Sequence, residues 1–372
     1  MHSRWCRIAA ILPALAGPPN AYVDELVAFL DRQPTAVVIP AYDGSIEAIR
    51  LRRDEVERRC ALALASECAL ELAVDKDKTL ALARDLGIAT PRSADVKCIG
   101  DLESAVAEIG LPAVLKPRRS WIASDDGGSR FGSLAVTDLA ESRDAFAAIT
   151  RGGGEVIIQQ WLPGRRDAVT QLVVGSDVKA CFAQMSHREL PRLGGVSVLC
   201  ESIPPLDDIV KPAQRLVCEM GLEGCSTVEF RRDMSGAPVL MEINPRIPGS
   251  IALGVGCGVD FPNLIHAWAL GRPVEKIERY QVGRRLHWMV GDLWSLYSAI
   301  NHDPGPDVPT PRQAAREFVR DLTTHDLSAT FDIADLAPSF VEARALLVRP
   351  IMKRLVEARS RALTTPSKGR GR

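Results

Sequence analysis

The stretch Ser226-Thr227-Val228-Glu229-Phe230-Arg231-Arg232, followed after Asp233-Met234-Ser235-Gly236-Ala237 by Pro238-Val239-Leu240-Met241-Glu242-Ile243-Asn244, decides the fold. Two largely apolar runs separated by a Ser-Gly turn predict a hairpin. A register symmetric about the Ser235–Gly236 bond sets Glu229 directly opposite Glu242. Side chains alternate along a strand, so Asn244 shares the face of Glu242 about 7 Å further on, while Val239, Met241 and Ile243 point into a core. Like charges directly across two strands repel, so two carboxylates and an amide on one face call for a hard, oxygen-preferring cation. Mg²⁺ fits that donor set, and Mn²⁺ can take its place. The local pattern also allows an ordinary solvated hairpin.

Working outward, Leu111-Pro112-Ala113-Val114-Leu115-Lys116-Pro117 reads as an apolar strand closed by a lysine. A cation at the tip of a rigid element can meet phosphate. The Gly/Ser/Asp-rich loop 124–133 lies between two predicted strands, and its glycines let backbone N–H groups approach an anion closely. It matches neither the Walker A pattern nor GxGxxG.

The rest of the chain supplies an α/β and α+β frame. Val23, Leu26, Val27 and Leu30 recur at helical spacing, and the β-branched run Thr35 to Ile39 follows. Helices are expected over 45–59 and 60–73, and again after Asp75-Lys76-Asp77-Lys78-Thr79 as far as Gly87. Helix 101–109, strands 112–117 and 133–137 and helix 138–149 form a compact unit that ends at Gly152-Gly153-Gly154. Strands 155–161, 168–174, 178–183 and 196–203, helix 206–221 and the hairpin make a mixed sheet. From about 275 the chain turns helical, and Ser367 to Arg372 reads as a disordered tail.

Lys and Arg number 46 against 47 Asp and Glu, so a net charge of -1 gives no general attraction to nucleic acid or an anionic membrane. Nine scattered cysteines without CxxC spacing point to reduced thiols and a cytoplasmic protein rather than a zinc knuckle or disulfide framework. Arg4, Arg7 and the run Ile8 to Ala16 imitate an export signal, but Pro13 breaks the run and it is read as a short buried strand and loop. No apolar run is long enough to span a bilayer.

The order Asp75-Lys76, Gly87-Ile88-Ala89-Thr90-Pro91, Pro112 to Pro117, Ile157-Ile158-Gln159-Gln160-Trp161-Leu162-Pro163-Gly164, Val228-Glu229-Phe230 and Met241-Glu242-Ile243-Asn244-Pro245-Arg246 resembles the ATP-grasp superfamily. It looks most like the carbamoyl phosphate synthetase-like, predicted carboxylate-amine ligase branch. The resemblance covers roughly 35–272, and Glu-Ile-Asn-Pro-Arg is its most specific part. It implies an ATP-grasp fold with a shortened N-terminal α/β domain (1–74), two grasping subdomains (75–154 and 155–274) and a helical C-terminal extension (275–372). Relatives usually open with a complete first strand and helix, so the N-terminal domain reads as truncated or its start as late.

The resemblance further implies that Lys76 and Lys116 contact ATP phosphates beneath loop 124–133, that Gln160 and Leu162 line the adenine cleft, and that Asp167 reaches the ribose. Glu229, Glu242 and Asn244 would hold Mg²⁺ and Arg246 would stabilise the transferred phosphoryl group. Similar proteins often carry Glu where this chain has Gln159 and Gln160; an amide can still donate to and accept from the base. In the polar loop 186–195, Arg188 is expected to clamp substrate carboxylate or phosphate and Arg192 to be a solvated charge. The implied chemistry is attack of a small-molecule carboxylate on the γ-phosphate, giving an acylphosphate that an amine captures. Alternatives are a thiol acceptor, an ATP-binding accessory or regulatory protein without turnover, and a scaffold that works through 275–363. The resemblance also allows a homodimer.

Overall fold

Pro18 and Pro19 open the first regular element, because a proline in the first helical turn lacks only an N–H that the helix does not use. The computed structural model describes residues 2–124, 127–191, 194–301, 309–324 and 326–344. Helix α1 (Pro19–Arg32) buries Val23, Leu26 and Leu30. The stretch 8–14, expected to hold a buried strand, is irregular, and Ile11 is 82% exposed. Pro13 lacks the N–H that a ladder would need.

Strand β1 (Val37–Val38) leads through α2 (Asp43–Arg50) and α3 (Arg53–Glu57) to β2 (Ala61–Leu62), which pairs parallel with β1. Residues 60–73 are therefore not one helix. The helix starts only after Ser66, whose hydroxyl accepts from the Ala69 N–H, and runs as α4 (Glu67–Val74). Asp75 then caps α5 (Lys76–Asp85) by accepting from Asp77 and Lys78 N–H at 3.1 and 3.3 Å.

Next come β3 (Ser93–Val96), α6 (Ile99–Ile109), β4 (Ala113–Pro117), β5 (Trp121–Ser124), β6 (Gly127–Arg130), β7 (Leu134–Val136), α7 (Leu139–Arg151) and β8 (Val156–Gln160). Four of them form an antiparallel sheet in the order β3-β8-β4-β7, and α6 and α7 cover one face of it. The glycine-rich loop is itself a hairpin, β5 with β6; residues 125–126 at its tip lie outside the described residues.

The remaining chain builds β9 (Arg166–Val174), β10 (Asp177–Leu190), β11 (Val196–Ser202), α8 (Asp207–Glu219), β12 (Gly224–Arg232), β13 (Pro238–Asn244), α9 (Ile251–Gly256), α10 (Phe261–Ala269), β14 (Arg285–His287), α11 (Met289–Asn301), α12 (Pro311–Asp321) and β15 (Leu327–Ser328). Seven strands form one sheet in the order β13-β12-β9-β10-β11-β14-β15. The expected all-helical region after 275 thus contributes two strands, β14 and β15, to this sheet. Arg192 and the tail 367–372 lie outside the described residues.

One face of the large sheet packs on α4, α5 and α8 through Val169, Val228, Phe230, Leu240 and Ile243. At one end of the other face α9 and α10 pack on Leu172 and Phe182. Between Glu229 and Phe230 the register shifts by one, which leaves Met241 as the extra residue of a bulge. Leu240 therefore takes the core position expected for Met241, and Val239 does not join that core. The bulge lies on the turn side of the two glutamates and leaves their pairing untouched.

Candidate functional site

Five side chains lie directly opposite one another across five strands. Glu242 faces Glu229, Glu229 faces Ala168, Ala168 faces Gln184, and Gln184 faces Ser202. One step along, Asn244 faces Thr227. The sheet thus holds two carboxylates and an amide on the face that α9 and α10 leave open. This face floors a cavity of about 580 Å³ lined by Glu229, Glu242, Asn244, Arg246, Arg166 and Arg130 among others.

The Asn244 Nδ2 donates to Glu242 Oε1 at 3.2 Å and to Glu229 Oε1 at 3.4 Å, and its Oδ1 accepts from Arg246 Nη2 at 3.1 Å. The amide thus bridges the two carboxylates by its nitrogen. Burial drives both glutamates toward the neutral form. For Glu242 the nearby Lys76 and Lys116, the Asn244 hydrogen bond and Arg246 outweigh burial and hold its carboxyl below the usual range. For Glu229 burial, reinforced by Glu242 and Glu189, outweighs Arg166 and raises it. This asymmetry is that of a like-charge pair with one partner already compensated.

The two lysines arrive from the other side of the cleft. Lys116 closes β4, is 4% exposed, and is pushed down to about 8 by burial and by Lys76, against the attraction of Glu242. Lys76, in the first turn of α5, donates from Nζ to Ser120 Oγ at 2.8 Å and is also lowered by burial. Two buried ammonium groups, with no carboxylate bonded to either among the described residues, favour an anionic guest. Arg246 Nη2 donates to Asp43 Oδ2 at 3.3 Å, its Nε pairs with the other Asp43 oxygen, and Arg130 Nε lies 3.3 Å from Asp43 Oδ2. Asp43 at the start of α2 thus ties the β6 arm to Arg246. Trp121 of β5 packs edge-on against Tyr42, with ring centroids 5.8 Å apart.

Whether a divalent cation suits these residues is a question of donor chemistry. Among the described residues no three acidic, histidine or cysteine side chains gather as a metal-binding group. The donor set is instead two carboxylates and one amide, all oxygen-bearing; Asn244 Oδ1 is held by Arg246, and Glu229, though paired with Arg166 at 3.2 Å, is still raised by burial. That set fits a hard cation, which would relieve the Glu229 and Glu242 repulsion.

Two expected site residues are engaged elsewhere. Asp167 is fully buried, and its carboxylate takes Arg165 Nε at 2.9 Å and Arg232 Nε at 2.7 Å, so it is not presented to a ribose. Arg188 is 7% exposed; its Nε and Nη2 hold both oxygens of Asp292 at 2.8 and 2.7 Å, and its Nη1 holds Asp321 at 2.6 Å. It is a buried structural ion pair rather than a substrate clamp, because α11 and α12 supply the carboxylates that sequence reading left for a ligand.

At the expected adenine end, Leu162 is buried, and Gln160 Oε1 accepts from Arg92 Nε at 3.3 Å. Val156 and Ile158 pack under α6 and α7, so alternation puts Gln160 on that helical side and Gln159 on the face that carries Lys116. Gln159 is fully buried, and neither its Oε1 nor its Nε2 has a partner among the described residues. An unpaired buried amide is costly, and Gln159 carries one on the face of β8 that Lys116 shares. Sequence reading also missed Arg166, whose Nη1 donates to Glu229 Oε2 at 3.2 Å and to Gly195 O at 2.7 Å. It gave Asp43 no firm role. Both bind partners far away in sequence, and no local signal marks them.

The family described as ATP-grasp in the biosynthetic pathway with Ter operon matches residues 185–291. The D-alanine--D-alanine ligase of Stutzerimonas stutzeri is 26% identical over 193 residues, covering 48% of this chain and 59% of the ligase. The carbamoyl phosphate synthase large chain of Pasteurella multocida is 24% identical over 280 residues, 69% of this chain but 24% of the synthase. The chain therefore spans less than two thirds of the length of these relatives. The crystal structure of L-amino acid ligase from Bacillus licheniformis superposes with a TM-score of 0.56 at 20% identity, over 74% of this chain and 66% of that one, which is a likeness of fold. The family match and the sequence relatives support a place for this chain in the ATP-grasp superfamily, and the superposition shows a shared fold.

Proposed function

We propose that this protein is an ATP- and Mg²⁺-dependent ligase that activates a small-molecule carboxylate as an acylphosphate for capture by an amine. The observation that carries the reading is the opposed Glu229 and Glu242 beside Arg246 in one cavity, with the buried Lys76 and Lys116 near enough to Glu242 to favour its charge. Buried cations beside a cation-seeking carboxylate pair suit a metal-bound polyphosphate. The D-alanine--D-alanine ligase and L-amino acid ligase relatives support the same reaction class.

In this reading Lys116 and Lys76 hold phosphate oxygens, and the unpaired Gln159 amide meets the base. Glu229, Glu242 and Asn244 hold the divalent cation, which supplies charge neutralisation on the phosphates. Arg246, oriented by Asp43, faces the charge that develops as the carboxylate oxygen attacks phosphorus and the diphosphate oxygen departs. The amine nitrogen then attacks the acyl carbon and inorganic phosphate leaves. Positioning and charge carry such a reaction, so no nucleophilic side chain is required. Nine free cysteines and the lack of any helix long and apolar enough to cross a membrane among the described residues support work in a reducing cytoplasm.

Phosphate release from ATP and Mg²⁺ with paired small carboxylates and amines tests the reading. Release that depends on both substrates supports it. Tight nucleotide binding without release from any pair favours an accessory role, and release with thiols alone moves the acceptor class.

A further inference from the structure

Arg130 stands at the open end of a chain of polar contacts that begins at the two glutamates. Glu242 takes Asn244 Nδ2 at 3.2 Å, Asn244 Oδ1 takes Arg246 Nη2 at 3.1 Å, and Arg246 Nη2 also donates to Asp43 Oδ2 at 3.3 Å. Arg130 Nε lies 3.3 Å from that same Asp43 oxygen. The two guanidinium groups therefore share one carboxylate, which leaves a positive charge in excess. Arg130 has no other polar partner among the described residues, its side chain is 43% exposed, and it lines the cavity together with Arg246, Asn244 and Glu242.

The hairpin that carries Arg130 is seated by Trp121, its direct partner across β5 and β6. The indole lies against two glycines, with a closeness that only a residue lacking a side chain allows. A Cβ on Gly44 would come within 2.8 Å of the ring, and one on Gly128 within 2.5 Å. Gly44 follows Asp43 in the first turn of α2, so the seat that takes the indole also sets Arg130 beside Asp43.

We propose that Arg130 receives the carboxylate that is to be activated, holding its two oxygens with Nη1 and Nη2 beside Arg246. A planar guanidinium matches a carboxylate as a two-pronged donor. The assignment rests on the ligase reading. In that reading Lys76, Lys116 and Arg246 take the phosphates, and the attacking oxygen stands in line beyond the γ-phosphorus, on the side away from the departing diphosphate. Arg130 lies one contact further from the cation-holding glutamates than Arg246 does, where the incoming carboxylate needs a partner.

The test uses the full chain with ATP, Mg²⁺ and hydroxylamine, whose nitrogen attacks the acyl carbon of an acylphosphate, expels inorganic phosphate and leaves a hydroxamate that iron colours. Acetate, glycine, L-alanine, D-alanine and succinate are the carboxylate probes. For a probe that is accepted, Arg130→Gln should raise KM for the carboxylate by about tenfold or more while KM for ATP and the thermal midpoint stay at the parent values. Arg130→Lys keeps the charge but not the fork, and should fall between the two. A rise in KM for ATP alone gives Arg130 to the phosphates and overturns the proposal, as does an unchanged KM for both substrates; hydroxamate formation upholds the ligase reading in either case. Absence of hydroxamate from every probe counts against the ligase reading, and calorimetric titration of the same probes with Mg²⁺ and a non-hydrolysable ATP analogue then decides on Arg130. Binding that Arg130→Gln loses supports the carboxylate site, whereas no binding by the parent, or equal binding by both proteins, overturns it.

Discussion

Glu229 and Glu242 stand directly opposite each other on β12 and β13, yet their environments differ in sign. Glu242 lies near two buried lysines, while Glu229 has Arg166 at 3.2 Å and a second glutamate, Glu189, nearby. Glu229 is raised, so its charge costs stability at neutral pH and the cost is relieved as pH falls through its folded value. Glu242 is lowered, so its charge contributes stability above the ordinary carboxylate range that is lost in acid.

Opposite responses to the same substitution follow. Without Mg²⁺, Glu229→Gln should raise the melting temperature by about 2 °C, for a gain of about 1 kcal/mol, and Glu242→Gln should lower it by a similar amount. Thermal unfolding in EDTA checks both signs; equal shifts would mean that the two glutamates are equivalent solvated charges.

Lys116, at about 8, gives the cleft a pH dependence. A bound phosphate favours the ammonium form, so nucleotide binding should take up a proton above pH 8, and affinity should fall as pH rises through that value. Calorimetry in buffers of different ionisation enthalpy measures the uptake. Lys116→Arg should bind without it, because an arginine stays charged throughout the range.

Arg246 and Asp43 form a charged pair beside Asn244 in the cleft. Arg246→Lys should lower the rate of phosphate release by about 10² to 10³, as for loss of one preorganised transition-state donor. Asp43→Asn should lower it by about tenfold, since Arg246 stays charged but loses its orientation. Rapid-quench measurement of a single turnover separates these effects from product release.

Arg188 should affect the fold before it affects chemistry. Its removal leaves Asp292 and Asp321 buried without their cation, at a cost of about 3 to 5 kcal/mol. Arg188→Ala should therefore lower denaturant stability by that amount while the folded fraction binds nucleotide as the parent does. Normal stability with lost substrate affinity would restore Arg188 as a clamp.

These cases also mark what could be read in the chain alone. The opposition of Glu229 and Glu242 was legible because a short turn between two apolar strands constrains register, and the bulge at Met241 lies on the turn side of the pair. Lys116 was legible because an otherwise apolar strand ends on a cation. The engagement of Asp167 by Arg232 and of Arg188 by Asp292 and Asp321 could not be read locally, because those partners lie 65, 104 and 133 residues away. The choice between Gln159 and Gln160 needed to know which face of β8 the helices α6 and α7 cover. Strands of two or three residues such as β2, β14 and β15 carry too few side chains for periodicity to register.

The central claim is that the opposed glutamates hold a cation that carries ATP, and titration of ATP with and without Mg²⁺ into the parent protein and Glu242→Gln tests it most directly. The account predicts ATP binding at least tenfold tighter with Mg²⁺ in the parent and little Mg²⁺ dependence in Glu242→Gln. Equal affinity with and without Mg²⁺ in the parent, or an unchanged Mg²⁺ dependence in a folded Glu242→Gln protein, would contradict it.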